Sequence, residues 1–149
     1  VNALCGYIGN DVIISLPNNY DGGNYIIGEY AFSEYTSLTS ITIPEGVTSI
    51  GSNAFYNCTG LSSITIPKSV TSIGKSAFNG RSNIVSVYSL NETPAKIQSS
   101  SFYSKCYTNA TLYVPQGSLE SYKTADGWKK FENIKKIAKT SCKKSENRV

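Results

Sequence analysis

Leu38–Gly60, LTSITIPEGVTSIGSNAFYNCTG, runs directly into Leu61–Asn83, LSSITIPKSVTSIGKSAFNGRSN. These two 23-residue blocks agree at 13 positions, among them nearly every apolar one. A period of about 20–29 residues on a leucine-type framework marks a solenoid, each block being one coil stacked on the previous coil. Within a coil, Ile41-Thr42-Ile43 and Ile64-Thr65-Ile66 alternate apolar and hydroxylated residues, the period-two pattern of a strand with one buried face. Pro44 and Pro67 end that strand because proline has no amide to carry pairing further. Val47–Ile50 and Val70–Ile73 start a second extended segment, which Gly51 and Gly74 close. Ser-Asn-Ala-Phe and Lys-Ser-Ala-Phe then predict a tight corner, with Ala54 and Ala77 allowing close packing and Phe55 and Phe78 pointing inward.

A single coil of this kind buries too few side chains to offset the entropy of ordering its backbone. Stacking has to supply the rest, through pairing of strands in successive coils and through the columns Phe32, Phe55, Phe78, Phe102 and Leu38, Leu61, Ile84. Upstream, Ile14-Ser15-Leu16-Pro17 matches the first strand and Ile27–Phe32 the corner, with additional residues around Asp21-Gly22-Gly23. Downstream, Ile84, Val87, Ile97 and Phe102 continue the pattern, and Leu112-Tyr113-Val114-Pro115 reads as a last strand. Residues 118–131 read as one amphipathic helix with Leu119, Tyr122, Trp128 and Phe131 on its apolar side and Gly127 as a point of weakness. Such a helix is the lid an open solenoid end requires.

Composition narrows the function classes. The chain has 149 residues, 40% of them apolar and 16% charged, enough for one domain with a modest core. No apolar run approaches 18 residues, so no transmembrane helix is predicted. The missing initial Met and the lack of a charged-then-apolar leader lead to the expectation of a mature or trimmed form. The net charge of +4 is uneven: residues from Lys129 onward carry +6, whereas residues 1–128 carry −2. The basic excess therefore belongs to an end segment, read as a solvated tail or linker and not as a nucleic-acid surface.

Cys5, Cys58, Cys106 and Cys142 are widely spaced and the chain has no histidine, which argues against metal centres and cofactors. Two coils, roughly 10 Å at about 4.8 Å per coil, should separate Cys58 from Cys106, beyond disulfide reach. Cys5 follows Val-Asn-Ala-Leu, but Leu4 stands where a lipidation signal needs a small residue. Catalytic chemistry is equally unsupported: the commonest general base is missing, the 10 carboxylates are scattered, no G-x-S-x-G elbow occurs, and no S-x-x-K constellation supports a nucleophile. The sequons at Asn57, Asn91 and Asn109 matter only in a source that glycosylates secreted proteins.

The outward column of the main sheet is the candidate binding surface: Ser40 and Thr42, Ser63 and Thr65, Ser86 and Tyr88, Thr111 and Tyr113. Tyrosine combines large contact area with a hydroxyl at low rotamer cost, so Tyr88 and Tyr113 beside a hydroxyl ladder suit a protein or a sugar ring. Against this stands the plain preference of Thr and Tyr for strands. Tyr20, Tyr25, Tyr30 and Tyr35 are read as core or cap packing at the opposite end, with a second patch as the alternative.

The pattern L-x-x-I-x-I-P-x-x-V-x-x-I-G-x-x-A-F resembles the BspA-like leucine-rich repeats of bacterial and protist surface proteins, and ATLYVPQGSLESYKTADGWKKFENIKKI resembles that family's terminal module of strand, helix and short final strand. The resemblance spans about residues 6–137 and implies a mainly β leucine-rich-repeat solenoid. On this reading residues 1–137 are one solenoid, divided into an N-terminal cap and divergent coil (1–37), repeats (38–109) and a C-terminal cap (110–137), and 138–149 are a basic tail. It further implies a non-enzymatic module at the cell surface or secreted, binding a macromolecular protein partner, with host matrix proteins as one candidate class. A glycan-binding module and a structural spacer are the alternatives.

Overall fold

In the computed structural model, which describes residues 2–138, the alternating segments of the two matched blocks are short strands with Ile41, Ile64 and Ile66 buried and Ser40, Thr42, Ser63 and Thr65 exposed. The elements among the described residues are β1 (Asn2–Leu4), β2 (Ile13–Ser15), β3 (Tyr25–Ile27), β4 (Ser40–Thr42), β5 (Val47–Ile50), β6 (Ser63–Ile66), β7 (Ser72–Ile73), β8 (Ser86–Ser89), α1 (Ser104–Asn109), β9 (Thr111–Val114), α2 (Leu119–Thr124) and β10 (Asn133–Lys136). A 3-10 turn, Trp128–Lys130, precedes β10. All strand pairs are parallel, as coils of one hand require. The second extended segments form one sheet in the order β1-β3-β5-β7, and the first segments form β2-β4 and β10-β9-β8-β6.

The core is the column of matched residues between these sheets. Phe32, Phe55, Phe78 and Phe102 stack with centroids 5.2 Å apart at each step, and the Phe55 and Phe78 planes lie within 3°. Leu38, Leu61 and Ile84 form the neighbouring buried column. Close coil spacing explains the glycine ending each second segment: a Cβ on Gly74 would stand 2.5 Å from Ser52 N, and one on Gly51 would stand 2.8 Å from Glu29 N. No side chain fits there. The corner repeats in backbone geometry even where residue type drifts. Tyr30, Asn53 and Ser76 take φ of 59°, 59° and 57°, and Glu34, Asn57 and Gly80 occupy a second left-handed position at the same spacing. Asn57 links three coils there, donating from Nδ2 to Glu34 Oε1 (2.9 Å) and accepting at Oδ1 from Arg81 N–H (2.8 Å).

Three differences from the sequence reading are structural findings. First, residues 118–131 are not one helix. α2 stops at Thr124, where Ala125 turns to extended backbone (φ −69°, ψ 138°), and Gly127 at φ 79°, a conformation glycine takes without a Cβ penalty, leads into the 3-10 turn. The apolar side chains still close the stack. Tyr122 and Trp128 are fully buried, and Tyr122 Oη donates to Asn91 O (2.6 Å) and is hydrogen-bonded to Ser89 Oγ (2.8 Å). Trp128 Nε1 donates to Ala95 O (2.7 Å). Second, α1, an element the sequence reading did not include, precedes β9 and buries Cys106 and Tyr107. Third, β4 and β6, the most alike strands in sequence, are not hydrogen-bonded to each other, so the main sheet is split between the two matched blocks. Matching residues stand on both lips, and nothing in the repeat sequence explains the split.

At the N-terminal end, β1 pairs with β3, and Tyr7 stacks on Phe32 (5.7 Å) and Tyr35 (5.5 Å) over the first coil. The four early tyrosines divide: Tyr25 is core, its hydroxyl donating to Pro17 O at 2.5 Å; Tyr35 packs in this end; Tyr20 and Tyr30 are exposed. Residues 139–149, including Cys142 and most of the basic tail, lie outside the described residues.

Phe55→Ala removes the ring that joins two coils on either side and should lower unfolding free energy by about 3–5 kcal/mol, measured by urea denaturation. Ser76→Gly should act oppositely. Relief of the left-handed strain is expected to raise stability by about 1 kcal/mol, read from the same titration.

Candidate functional site

Alternation along each strand sends every second side chain out of the stack, and parallel register lines those side chains up across coils. Ser63, Ser86 and Thr111 are register partners, as are Thr65, Tyr88 and Tyr113. The structure thus brings six of the eight candidate residues into one continuous patch. Ser40 and Thr42 face outward on β4, in register with Ile13 and Ser15 of β2, but stand across the split from β6.

Tyr88 and Tyr113 are in contact, with ring centroids 4.6 Å apart and planes within 11°. Face-to-face packing on adjacent strands covers the two inner ring faces and leaves edges and hydroxyls outward. Both rings are half-buried by their neighbours on the rigid sheet, which restricts the pair before any partner arrives. β10 extends the rows further: Asn133 is in register with Thr111, and Lys135 with Tyr113. Lys135 is the residue the sequence reading missed. Its alternation with Ile134 was a visible signal, but the placement of β10 beside β9 depends on the returning path through α2 and the 3-10 turn. At this edge Lys123, Lys129 and Lys135 line a shallow cleft of about 310 Å³ that also includes Glu132. Lys123 and Lys129 have carboxylate neighbours, Glu120 at 3.8 Å and Asp126 at 3.2 Å. With Glu132 these carboxylates balance the three lysines of the cleft, and the basic group on the row itself is Lys135.

At the far end of the rows, Ile13 presents an exposed aliphatic side chain, 67% accessible, next to Ser40. The face therefore grades from aliphatic through hydroxyl to aromatic and basic. Among the described residues no group of three His, Cys, Asp or Glu side chains is placed to hold a metal ion, and no helix is long and apolar enough to cross a membrane.

The thiols lie away from this face. Cys58 and Cys106 are buried and unpaired, and Cys5 is exposed and unpaired. Cys58 Sγ donates to Phe32 O at 3.0 Å, and Cys106 Sγ to Ser82 Oγ at 3.7 Å. Burial pushes the Cys58 thiol up to about 12 and moves Cys106 in the same direction. A protonated, buried thiol is a packing group and not a nucleophile.

Comparison with known proteins gives a concordant picture. Residues 13–146 match the model of the BspA type leucine rich repeat region, in 6 copies. Two solved structures are similar. One is the leucine rich repeat protein of T. pallidum, 19% identical, with TM-score 0.56 over 89% of this chain and 73% of that one. The other is a leucine rich cell surface protein from Faecalibacterium prausnitzii A2-165, 28% identical, with TM-score 0.57 over 91% of this chain. This chain spans 38% of the Faecalibacterium protein. No curated protein sequence matches significantly.

Because the unfolded chain ionises its thiols from about pH 9 while Cys58 in the fold resists until about 12, stability should be full below pH 9 and decline across that window. Cys58→Ser should flatten the decline in alkaline denaturation. In the native protein iodoacetamide should modify Cys5 well before Cys58 and Cys106, as read by peptide mass spectrometry.

Proposed function

Since the chain belongs to the BspA type leucine rich repeat family, we propose that it is a non-enzymatic binding module displayed outside the cell, which grips a protein partner with the outward face of its main sheet. Leucine-rich repeats serve generally as protein-binding scaffolds, and the similar Faecalibacterium protein is a cell surface protein. Fold alone does not select a partner, so the choice rests on exposed residues.

The stacked pair Tyr88–Tyr113, continued in register by Lys135, carries the reading. Aromatic and basic groups held on a rigid surface are the usual energetic centres of protein interfaces, because little side-chain entropy is lost when they dock. Lys135 adds preference for a partner with acidic groups opposite it and raises the encounter rate at low salt. The same stacking weighs against a sugar platform at the tyrosines. A pyranose packs on an open ring face, whereas the inner faces of Tyr88 and Tyr113 meet each other and their outer sides are flanked in register by Thr65 and Lys135. Extracellular matrix proteins of a host are the first class to test.

The immobilised full chain should capture one or more proteins from a panel of purified matrix proteins. Tyr88→Ala with Tyr113→Ala is expected to weaken capture at least tenfold, the loss typical of an interface centre. Lys135→Ala should act mainly on the association rate and lose its effect at high salt. Capture that is equal for the parent and the double tyrosine variant would reject this face, and a blank panel would favour a spacer.

A further inference from the structure

The split between β4 and β6 is more than a lapse in pairing. A cleft of about 510 Å³ opens there, lined by Thr39, Ser40, Ile41, Thr42, Ile43, Ser62, Ser63 and Thr65. Successive residues of a strand turn their peptide groups to alternate sides. Ser40 N–H donates to Val12 O and Leu16 N–H to Thr42 O, so Ser40 and Thr42 address β2 and Ile41 and Ile43 address β6. Ser86 N–H donates to Ser62 O and Leu90 N–H to Ile66 O, so Ser63 and Thr65 address β4. Both lips therefore direct backbone N–H and C=O groups into the cleft, beneath a rim of Ser and Thr hydroxyls and above a floor at the largely buried Ile41 and Ile43.

The flanks of the cleft are closed. On one side a Cβ on Gly60 would stand 2.5 Å from Leu38 O, and on the other β5 and β7 remain paired through Ser49–Ser72 and Ile50–Ile73. Phe55 sits at 5.2 Å from both Phe32 and Phe78. An intercalated peptide strand needs its neighbours about 9.6 Å apart, twice the interstrand spacing, which these contacts do not permit. A compact ligand that lies along the mouth of the cleft and reaches both rims needs no such widening. It has to donate and accept hydrogen bonds with equal ease, offer C–H surface to the isoleucines, and carry no charge, since every lining residue is uncharged.

From this chemistry we infer that the cleft between β4 and β6 binds a neutral saccharide, one or two rings in size, with its hydroxyls bridging the two strands. The inference extends the reading of this sheet as a binding face, but it uses the cleft and not the tyrosine pair. Isotope-labelled full-length chain is titrated with neutral hexoses and disaccharides (glucose, galactose, mannose, maltose, lactose) and followed by amide NMR. Saturable shifts centred on Ile41, Ile43, Ser63 and Thr65 are expected with at least one of them, together with slower hydrogen exchange at those amides. Ser63→Val with Thr65→Val keeps strand propensity while deleting the rim hydroxyls, and should weaken binding at least tenfold with an unchanged urea midpoint; Thr65→Val alone, a smaller change, should weaken it at least threefold. Tyr88→Ala with Tyr113→Ala should leave saccharide affinity within twofold, so loss of matrix-protein capture and loss of sugar binding are read separately. The proposal is overturned by a titration without saturable shifts, by shifts that map elsewhere or survive in the valine variants, or by an extended peptide protecting these amides where the sugars do not.

Discussion

No coil of this protein encloses its own core. The inward side chains of a coil meet the coils before and after it, so Phe55 is buried by Phe32 and Phe78 and not by residues of its own block. The rest follows from holding successive coils at one strand spacing. Gly51 and Gly74 are excluded from bearing a side chain by the backbone of the previous coil. The corner keeps a left-handed residue at Tyr30, Asn53 and Ser76 although only one of these residue types favours that conformation, because stacking outweighs a local cost of about 1–2 kcal/mol. The last coil needs a lid, and Tyr122 and Trp128 supply it by filling the exposed cross-section and donating to main-chain carbonyls that have no next coil to meet.

The same regularity turns sequence spacing into surface geometry. Residues 23 apart in the repeats become neighbours across strands, so a periodic Ser or Thr becomes a hydroxyl row, and replacing Thr by Tyr in two successive coils produces a stacked aromatic pair. Such a surface is rigid because each outward side chain is anchored by an inward neighbour one residue away. It is nearly uncharged along its length and carries the basic Lys135 where β10 joins. The buried, protonated thiols of Cys58 and Cys106 belong to the packing and not to this surface.

Where the regularity breaks, the molecule gains features that repetition cannot supply. The break between β4 and β6 leaves peptide groups directed into a cleft while the phenylalanine stack and the β5–β7 pairing continue beside it. Ladder pairing and core stacking are thus separable in this fold. One can lapse locally without the other, because side-chain burial, not backbone pairing, sets the coil spacing.

Periodicity in the chain was enough to establish the coil, its inward columns, its outward rows and the need for a terminal lid, since each depends on nearest neighbours that the repeat itself specifies. Leu38 through Phe78 could be read in this way almost residue by residue. The end of α2 at Thr124, the helix α1 around Cys106, the arrival of Lys135 beside the Tyr88–Tyr113 pair and the opening of the sheet at β4 could not. Each arises from how non-repeating segments return to the stack, or from small displacements between coils, and those are set by the sum of packing contacts over the whole solenoid. A pattern of residue types records which side a residue faces; only the folded stack settles how far apart two such sides come to rest.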